Sequence, residues 1–373
     1  MELAKLNANN QLMKPLENYD SLIWTERFIG IGDFQLVTGD VDRYKELLPE
    51  GSLVSLREST VPMIVEDHYI ERKKNTGEKL FIKGREVTSI LDRRISVQAV
   101  SAALTEWKVV AKIPSDVAHY LIYKICVEGI NDPADIFPSS FVQFETPADY
   151  LNTSGPNREF VVPRGKLLNT VLDFLKAESD ADPNTTPPSP EVVPHGIRAV
   201  RPARGGTAIA VQIYTGTDRT AQVRFDATRD QLDDGSYLFS KKGLANAAYV
   251  LGPTSAFKLH KGAVVPSGLD RRVTLVDATG SGITSADGIK NEGIDALNKA
   301  NEVARFNGAL NTDLSLYSYG QDYKLGDIVM LAGDYGLNTR SRVTEYIRSE
   351  DAQGSKSYPT LVSIEKDPLG ESS

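Results

Sequence analysis

Four histidines, one cysteine and fifty carboxylates are the side chains in this 373-residue sequence that could carry metal or acid–base chemistry. A zinc centre wants cysteine and histidine pairs at short spacing, or a His-Glu-x-x-His run on a helix. His68, His119, His195 and His260 are far apart in the chain, and ordinary surface or packing roles are expected of them. Asp230-Gln231-Leu232-Asp233-Asp234-Gly235-Ser236 has the outline of a calcium loop. It lacks the alternating acids and the distant glutamate, so a hydrated turn is expected. Gly280-Ser281-Gly282 and Gly288 precede a helix as a phosphate cradle would, yet no Gly-Lys-Ser/Thr closes the loop. No Gly-x-Ser-x-Gly elbow is present. Asp92-Arg93-Arg94 and Asp270-Arg271-Arg272 each set one carboxylate beside two guanidinium groups, and an ion pair fixing a turn or a subunit contact is the expectation. Carboxylates such as Glu26, Asp33, Glu58, Glu66 and Asp67 could supply a glycosidase pair, but the chemistry depends on a separation that sequence does not show. No catalytic, cofactor or metal residue is assigned.

The elements that would position these groups begin with the stretch from Leu22 to Arg94. Trp24, Glu26 and Phe28 fall on one side of a period-two pattern, with Thr25 and Arg27 on the other. Gly32-Asp33 supplies a turn, and Phe34 and Leu36 restart the alternation. Ser52 to Arg57 and Met63 to Ile70 continue it. Asn75-Thr76-Gly77 reverses the chain into Leu80–Gly84, and the unit closes on Ile90-Leu91-Asp92-Arg93-Arg94. A small antiparallel β unit with a charged face results.

Around it, residues 1–19 read as a polar, Asn-rich extended arm. Ala99, Val100, Ala103, Leu104 and Trp107 have helical spacing over Val97 to Val110. Pro114-Ser115-Asp116 starts a helix carrying Val117, Leu121 and Ile125, which Gly129 ends. Arg158 to Pro163 is strand-like, and Leu168, Val171, Leu172 and Leu175 mark an amphipathic helix. Residues 179–196 are a Pro-rich connection. Strands are expected at Ile197–Val200, Thr207–Tyr214, Ala221–Phe225 and Ala247–Leu251, then a helix through Ile294, Leu297, Ala300 and Ala304. Leu325 to Leu331 enters a strand, and Asp334-Tyr335-Gly336 turns it. From Ser341 to Arg348, Val343 and Ile347 share one face, with Arg342, Thr344, Tyr346 and Arg348 on the other. Leu361 to Ile364 is the last strand.

Composition narrows the function. Hydrophobic residues make up 40% and charged residues 25%, ordinary for folded protein. The net charge of −8 argues against a phosphate-gripping nucleic-acid binder. The single cysteine, Cys126, excludes an internal disulfide, and neither a signal peptide nor a membrane-length apolar run is seen.

The ordered set of short motifs resembles the Gp37-like minor tail proteins of actinobacterial siphophages. The matching pieces are residues 22–28 and 32–36, Gly84-Arg85 with 90–94, and Gly165-Lys166-Leu167-Leu168. Near the end come residues 319–329, Gly336-Leu337, Arg342-Val343-Thr344-Glu345 and Tyr358-Pro359-Thr360. The segment 179–288 matches least. The resemblance implies a structural protein, not an enzyme, mainly β with helical inserts (α+β). It would have two small antiparallel β-barrel domains of the tail-tube or hub type. The first would be 20–96; the second would join 197–275 with 308–373; 97–178 and 276–307 would be inserts. Three copies would form a ring with six barrels at the tail tip, adapting a sixfold tube to a threefold tip and letting DNA pass through transiently. Distal tail protein and other tip proteins would be partners, with contact to the host envelope, in a virion component made in the host cytoplasm. Structural or interface roles then fall to Trp24, Glu26, Arg27, Gly32, Asp33, Phe34, Asp92, Arg93, Arg94, Gly326 and Asp327. An acidic channel wall is expected, because like charge keeps DNA from sticking. Two rivals are a tail-associated cell-wall hydrolase and a glycan-binding receptor protein using Tyr237, Tyr249, Tyr317, Tyr319 and Tyr323.

Overall fold

The computed structural model describes residues 1–74, 77–98, 106–145, 158–177, 192–203, 205–226, 232–280, 283, 285–300, 303–310, 316–332 and 338–364. The chain is mainly β with few helices, and its frame is one 13-stranded sheet. Along the sheet lie Leu232–Ser240, Val303–Leu310, Gly354–Ser363, Asn338–Asp351, Ser21–Arg27, Asp33–Thr38, Gly77–Glu86, Pro62–Lys73, Leu53–Leu56, Leu3–Leu6 and Leu12–Pro15. Arg224–Asp226 and Ile328–Ala332 branch from Asn338–Asp351. Among the described residues this path does not return on itself, so neither of the two expected barrels is a closed ladder.

The two ends of the chain meet in this sheet. Asn338–Asp351 pairs antiparallel with Ser21–Arg27, setting Tyr346 opposite Glu26 and Arg348 opposite Trp24. On one side of that seam, Leu22, Trp24, Phe34, Leu36, Leu56, Met63, Leu80 and Ile82 make a core capped by Tyr44 of the helix Val41–Leu47. On the other, Phe28, Val223, Phe225, Tyr323, Val329, Val343, Tyr346 and Leu361 make a second. Trp24 lies in the strand Ser21–Arg27 and Phe28 directly after its end, yet each seals a different core.

Two long hairpins leave this frame at the same end. Glu350 pairs with Leu22, and Thr38 with Leu80, so the reversal at Asp351–Gly354 and that between Lys73 and Gly77 both lie beyond Ser21 and Thr38. Gly84 is fixed by crowding where these strands cross: a Cβ there would sit 2.0 Å from the Ile64 carbonyl oxygen.

Several sequence expectations change. Residues 1–19 are no free arm: Leu3–Leu6 and Leu12–Pro15 form a hairpin, and Leu3 is buried against the first core. Asn7 Oδ1 accepts the Asn9 and Gln11 amides at 2.9 and 3.1 Å, so the Asn-rich run is a turn. Ile90–Arg93 belongs to a 3-10 helix, Val87–Arg93, whose Val87, Ile90 and Leu91 are buried. Trp107 is not helical; it opens the strand Trp107–Ala111, zipped to Arg158–Val162, while 99–105 lie outside the described residues. The last helix is Ala286–Lys299, and Ala304 falls in the strand Val303–Leu310. Leu232–Ser240 is a strand, which replaces the hydrated turn expected there. The turns at Asn75-Thr76 and Asp334-Tyr335-Gly336, the Ser281-Gly282 pair and most of 179–196 lie outside the described residues.

The helices expected at Pro114 and Leu168 form as Pro114–Ile122, continued by a wider turn at Tyr123–Val127, and Leu167–Leu175. Val117, Leu121, Ile125, Val171 and Leu175 pack with Ile197, Ala199, Ile209 and Val211 into a third core. Gly129, at φ +65°, ends the first helix as glycine can.

Candidate functional site: a buried acid cluster where the cores meet

At the seam between the first two cores sits Glu26, a carboxylate on a strand face otherwise apolar. Trp24 Nε1 donates to its Oε1 at 3.2 Å, and Arg348 donates to the same oxygen at 2.6 Å. The Tyr319 hydroxyl donates to Oε2 at 3.4 Å. The Glu26 and Arg348 side chains are only 6% and 9% exposed, so this ion pair is held away from water. Arg348 lies over the rings of Tyr346, at 4.6 Å, and Tyr319, at 5.4 Å, and those rings stack 3.7 Å apart. Paired and hydrogen-bonded charge is the condition under which burial is tolerated.

A second carboxylate, Glu86, lies fully buried where the third core joins. It accepts the Ala199 amide at 2.6 Å, tying the strand Gly196–Val200 to the end of Gly77–Glu86. Burial pushes its pKa up to about 8, the Ala199 amide opposing this and nearby Glu26 adding to it. Glu86 is absent from the sequence-level assignment. The signal was available, because Leu80, Ile82, Gly84 and Glu86 share one buried period-two face.

Phe28 is the packing pivot beside this cluster. A Cβ on Gly196 or on Gly326 would each come within 2.5 Å of its ring, and Gly326 also holds φ +88°. Tyr214 meets it edge-on at 5.5 Å, and the Arg342 guanidinium lies 5.6 Å above it. Asp327, next along, clamps a loop: it accepts the Thr217 amide at 2.8 Å, the Lys324 amide at 2.9 Å and Arg219 Nε at 3.2 Å.

The structure thus gathers most of the expected positions. Trp24, Phe34 and Glu26 belong to the seam, with the Trp24 and Phe34 ring centroids 5.8 Å apart. Arg27 donates to Glu345 at 2.8 Å, to the Ile31 carbonyl at 2.7 Å and to Asp33, fastening the turn that holds Gly32. A Cβ on Gly32 would be 2.6 Å from the Thr25 oxygen. Gly326 and Asp327 join from the far end of the chain. Asp92, Arg93 and Arg94 do not join, and they do not pair with one another. Asp92 lies 3.8 Å from Arg85, Arg93 is exposed, and Arg94 reaches Asp135 Oδ1 at 3.3 Å with its guanidinium 4.2 Å over Phe137. Arg271 and Arg272 likewise donate to backbone carbonyls, those of Pro266 and Lys241, and the Asp270 carbonyl accepts the Asn246 side-chain amide.

Arg348 and Tyr346 sit on the core face, contrary to the alternation read from sequence. A bulge between Val343 and Glu345 inserts Thr344 and reverses the parity, so Val343, Tyr346 and Arg348 all point inward.

The histidines are separated in sequence, yet His195 acts on His119: burial and then His195 bring the His119 pKa down to about 4. Among the described residues no group of three or more His, Cys, Asp or Glu side chains could hold a metal ion. Tyr323 is a core residue and Tyr317 is half-buried, and both pack edge-on against Phe225, at 5.3 and 5.6 Å. The Tyr237 side chain lies outside the described residues. The cluster thus ties together strands that belong to three cores.

The family described as Siphovirus ReqiPepy6 Gp37-like protein matches residues 6–361. No curated protein matches in sequence. Among solved structures, the chain is similar to the prophage MuSo2 43 kDa tail protein from Shewanella oneidensis, with TM-score 0.59, 11% identity and coverage of 97% of this chain and 98% of that one. A tail protein from Neisseria meningitidis MC58 gives TM-score 0.58, 11% identity and coverage of 97% and 96%. Prophage tail protein gp18 from Listeria monocytogenes EGD-e gives TM-score 0.54, 11% identity and coverage of 99% and 96%.

Proposed function

The chain belongs to the Gp37-like family of siphovirus tail proteins, and from that premise we propose that it is a tail-tip hub. Three copies form a ring that continues the channel of the tail tube, joins it to the tip and passes DNA during ejection. Each half of the sheet packs on its own core, so three chains present six units. The protein works by assembly rather than turnover, with the distal tail protein and other tip proteins above and below it. Acidic side chains outnumber basic ones on the channel wall, where repulsion keeps phosphate from adhering.

One observation carries the reading: the antiparallel pairing of Asn338–Asp351 with Ser21–Arg27. It joins two β cores through one sheet, with the Glu26–Arg348 pair buried at the seam, which supports two units per chain. Such rings bury large, obligate interfaces.

Electron microscopy of assembled tails carrying a tagged copy of this chain tests it. A threefold ring around the axis at the tip is expected. Density along the whole tube, or on a lateral fibre away from the axis, would overturn the reading.

A further inference from the structure

A small α/β unit stands beside the main sheet. Ala247–Leu251 is its central strand, antiparallel to Ala256–His260 and parallel to Val273–Asp277. The helix Ala286–Lys299 covers one face, where Ala248, Val250, Ile289 and Leu297 form the core with Phe257, Leu259 and Val276. A sheet face left to water alternates to polar residues. Here the face away from the helix carries Tyr249, Leu251, Val273 and Leu275, between 38% and 66% exposed, beside the exposed polar side chains of Lys258, His260 and Asp277. Register makes them neighbours: Tyr249 lies opposite Leu275, and Ala247 opposite Val273.

The loop 261–272, which joins the two outer strands past the start of the central one, adds Val264, Val265 and Leu269 at 81%, 58% and 100% exposure. It also carries two adjacent guanidinium groups. Arg271 and Arg272 donate to the carbonyls of Pro266 and Lys241, and among the described residues neither meets a carboxylate. The charge of the unit is also opposite to that of its chain. Residues 241–300 hold eight Lys and Arg against five Asp and Glu, while the remainder holds 34 against 45.

A largely apolar face rimmed by guanidinium groups that meet no described carboxylate, on an otherwise acidic protein, is an association surface with a partner sign built in. We propose that this face and loop dock onto the acidic remainder of a second copy of the same chain. The contact is heterologous, because the basic unit meets a surface outside 241–300, and contacts of that kind close rings. It rests on the ring reading above for its setting, and adds which surface makes the contact.

The test places a photo-cross-linking benzoylphenylalanine at Leu275, and separately at Leu269, in chains incorporated into tails. Adducts are identified by mass spectrometry. Adducts between two copies of this chain, mapping outside 241–300, are expected at both positions. In a chain also carrying Arg271→Glu and Arg272→Glu the yield should fall about tenfold, the loss expected when complementary charge becomes like charge. Adducts to a different tail protein, adducts within 241–300 of the second copy, or no adduct at either position would overturn the proposal. Imaging of the same tails separates the two readings. A ring without self-adducts removes the docking face alone, and self-adducts without an axial ring remove the hub reading alone.

Discussion

Glu26 and Arg348 stand 322 positions apart in sequence and meet at 2.6 Å inside the protein, on the seam where its two β cores touch. Removing either partner leaves the other charge buried and unpaired, which typically costs about 3–5 kcal/mol. Glu26→Gln and Arg348→Met are each expected to lose stability of that order in urea unfolding. The double variant Glu26→Leu/Arg348→Met should recover much of it, since an apolar replacement leaves no orphan charge. Equal, additive losses in the double variant would mean that the pair does not act as a unit.

Glu86 gives a pH signature whose sign follows from its burial. Its folded pKa of about 8 lies above the ordinary value of 4.5, so between those limits the folded chain binds a proton that the unfolded chain releases. Its contribution to stability is therefore fully present below pH 4.5, declines as pH rises toward 8, and is flat beyond. Glu86→Gln removes this slope. Relative to the parent, the variant should gain stability steadily from pH 5 to pH 8.5, read from parallel thermal melts. A constant difference across that range would exclude titration of Glu86.

Both the seam carboxylate and its neighbour were legible in part. Trp24, Glu26 and Phe28 announce a buried acid by simple alternation, and Leu80, Ile82 and Glu86 do the same. The partner was hidden because Thr344 is an extra residue in its strand, and a bulge leaves no mark in a period-two count. Trp107 was misread because its side chain suits a helix face as well as a strand, and its pairing with Val162 is long-range. The first hairpin was missed because Asn-rich polarity describes a turn as well as it describes an arm. Asn10, at φ +55°, shows which it is.

Gly326 packs against Phe28 with no room for a methyl group, in a left-handed conformation at φ +88°. Gly326→Ala should destabilise the protein by about 2–4 kcal/mol, combining overpacking with backbone strain. Because φ persists, Phe28→Leu in the same chain should restore only part of the loss, as measured by chemical denaturation. Full rescue would assign the whole effect to the ring contact.

Cys126 is buried in the third core, and burial pushes its thiol up to about 12. In the native protein at pH 8 it should resist a thiol reagent, and in denaturant one thiol per chain should react at once. Rapid labelling of the native state would show that this core opens independently of the sheet.

The strand that completes the central sheet is made more than 300 residues after the strand it pairs with. During synthesis the edge of Ser21–Arg27 therefore stays bare, and Glu26 stays without its cation, until the 338–351 segment leaves the ribosome. An N-terminal half made alone lacks both the strand and the cation that join its core to the second one. The seam can therefore close only once nearly the whole chain has been made.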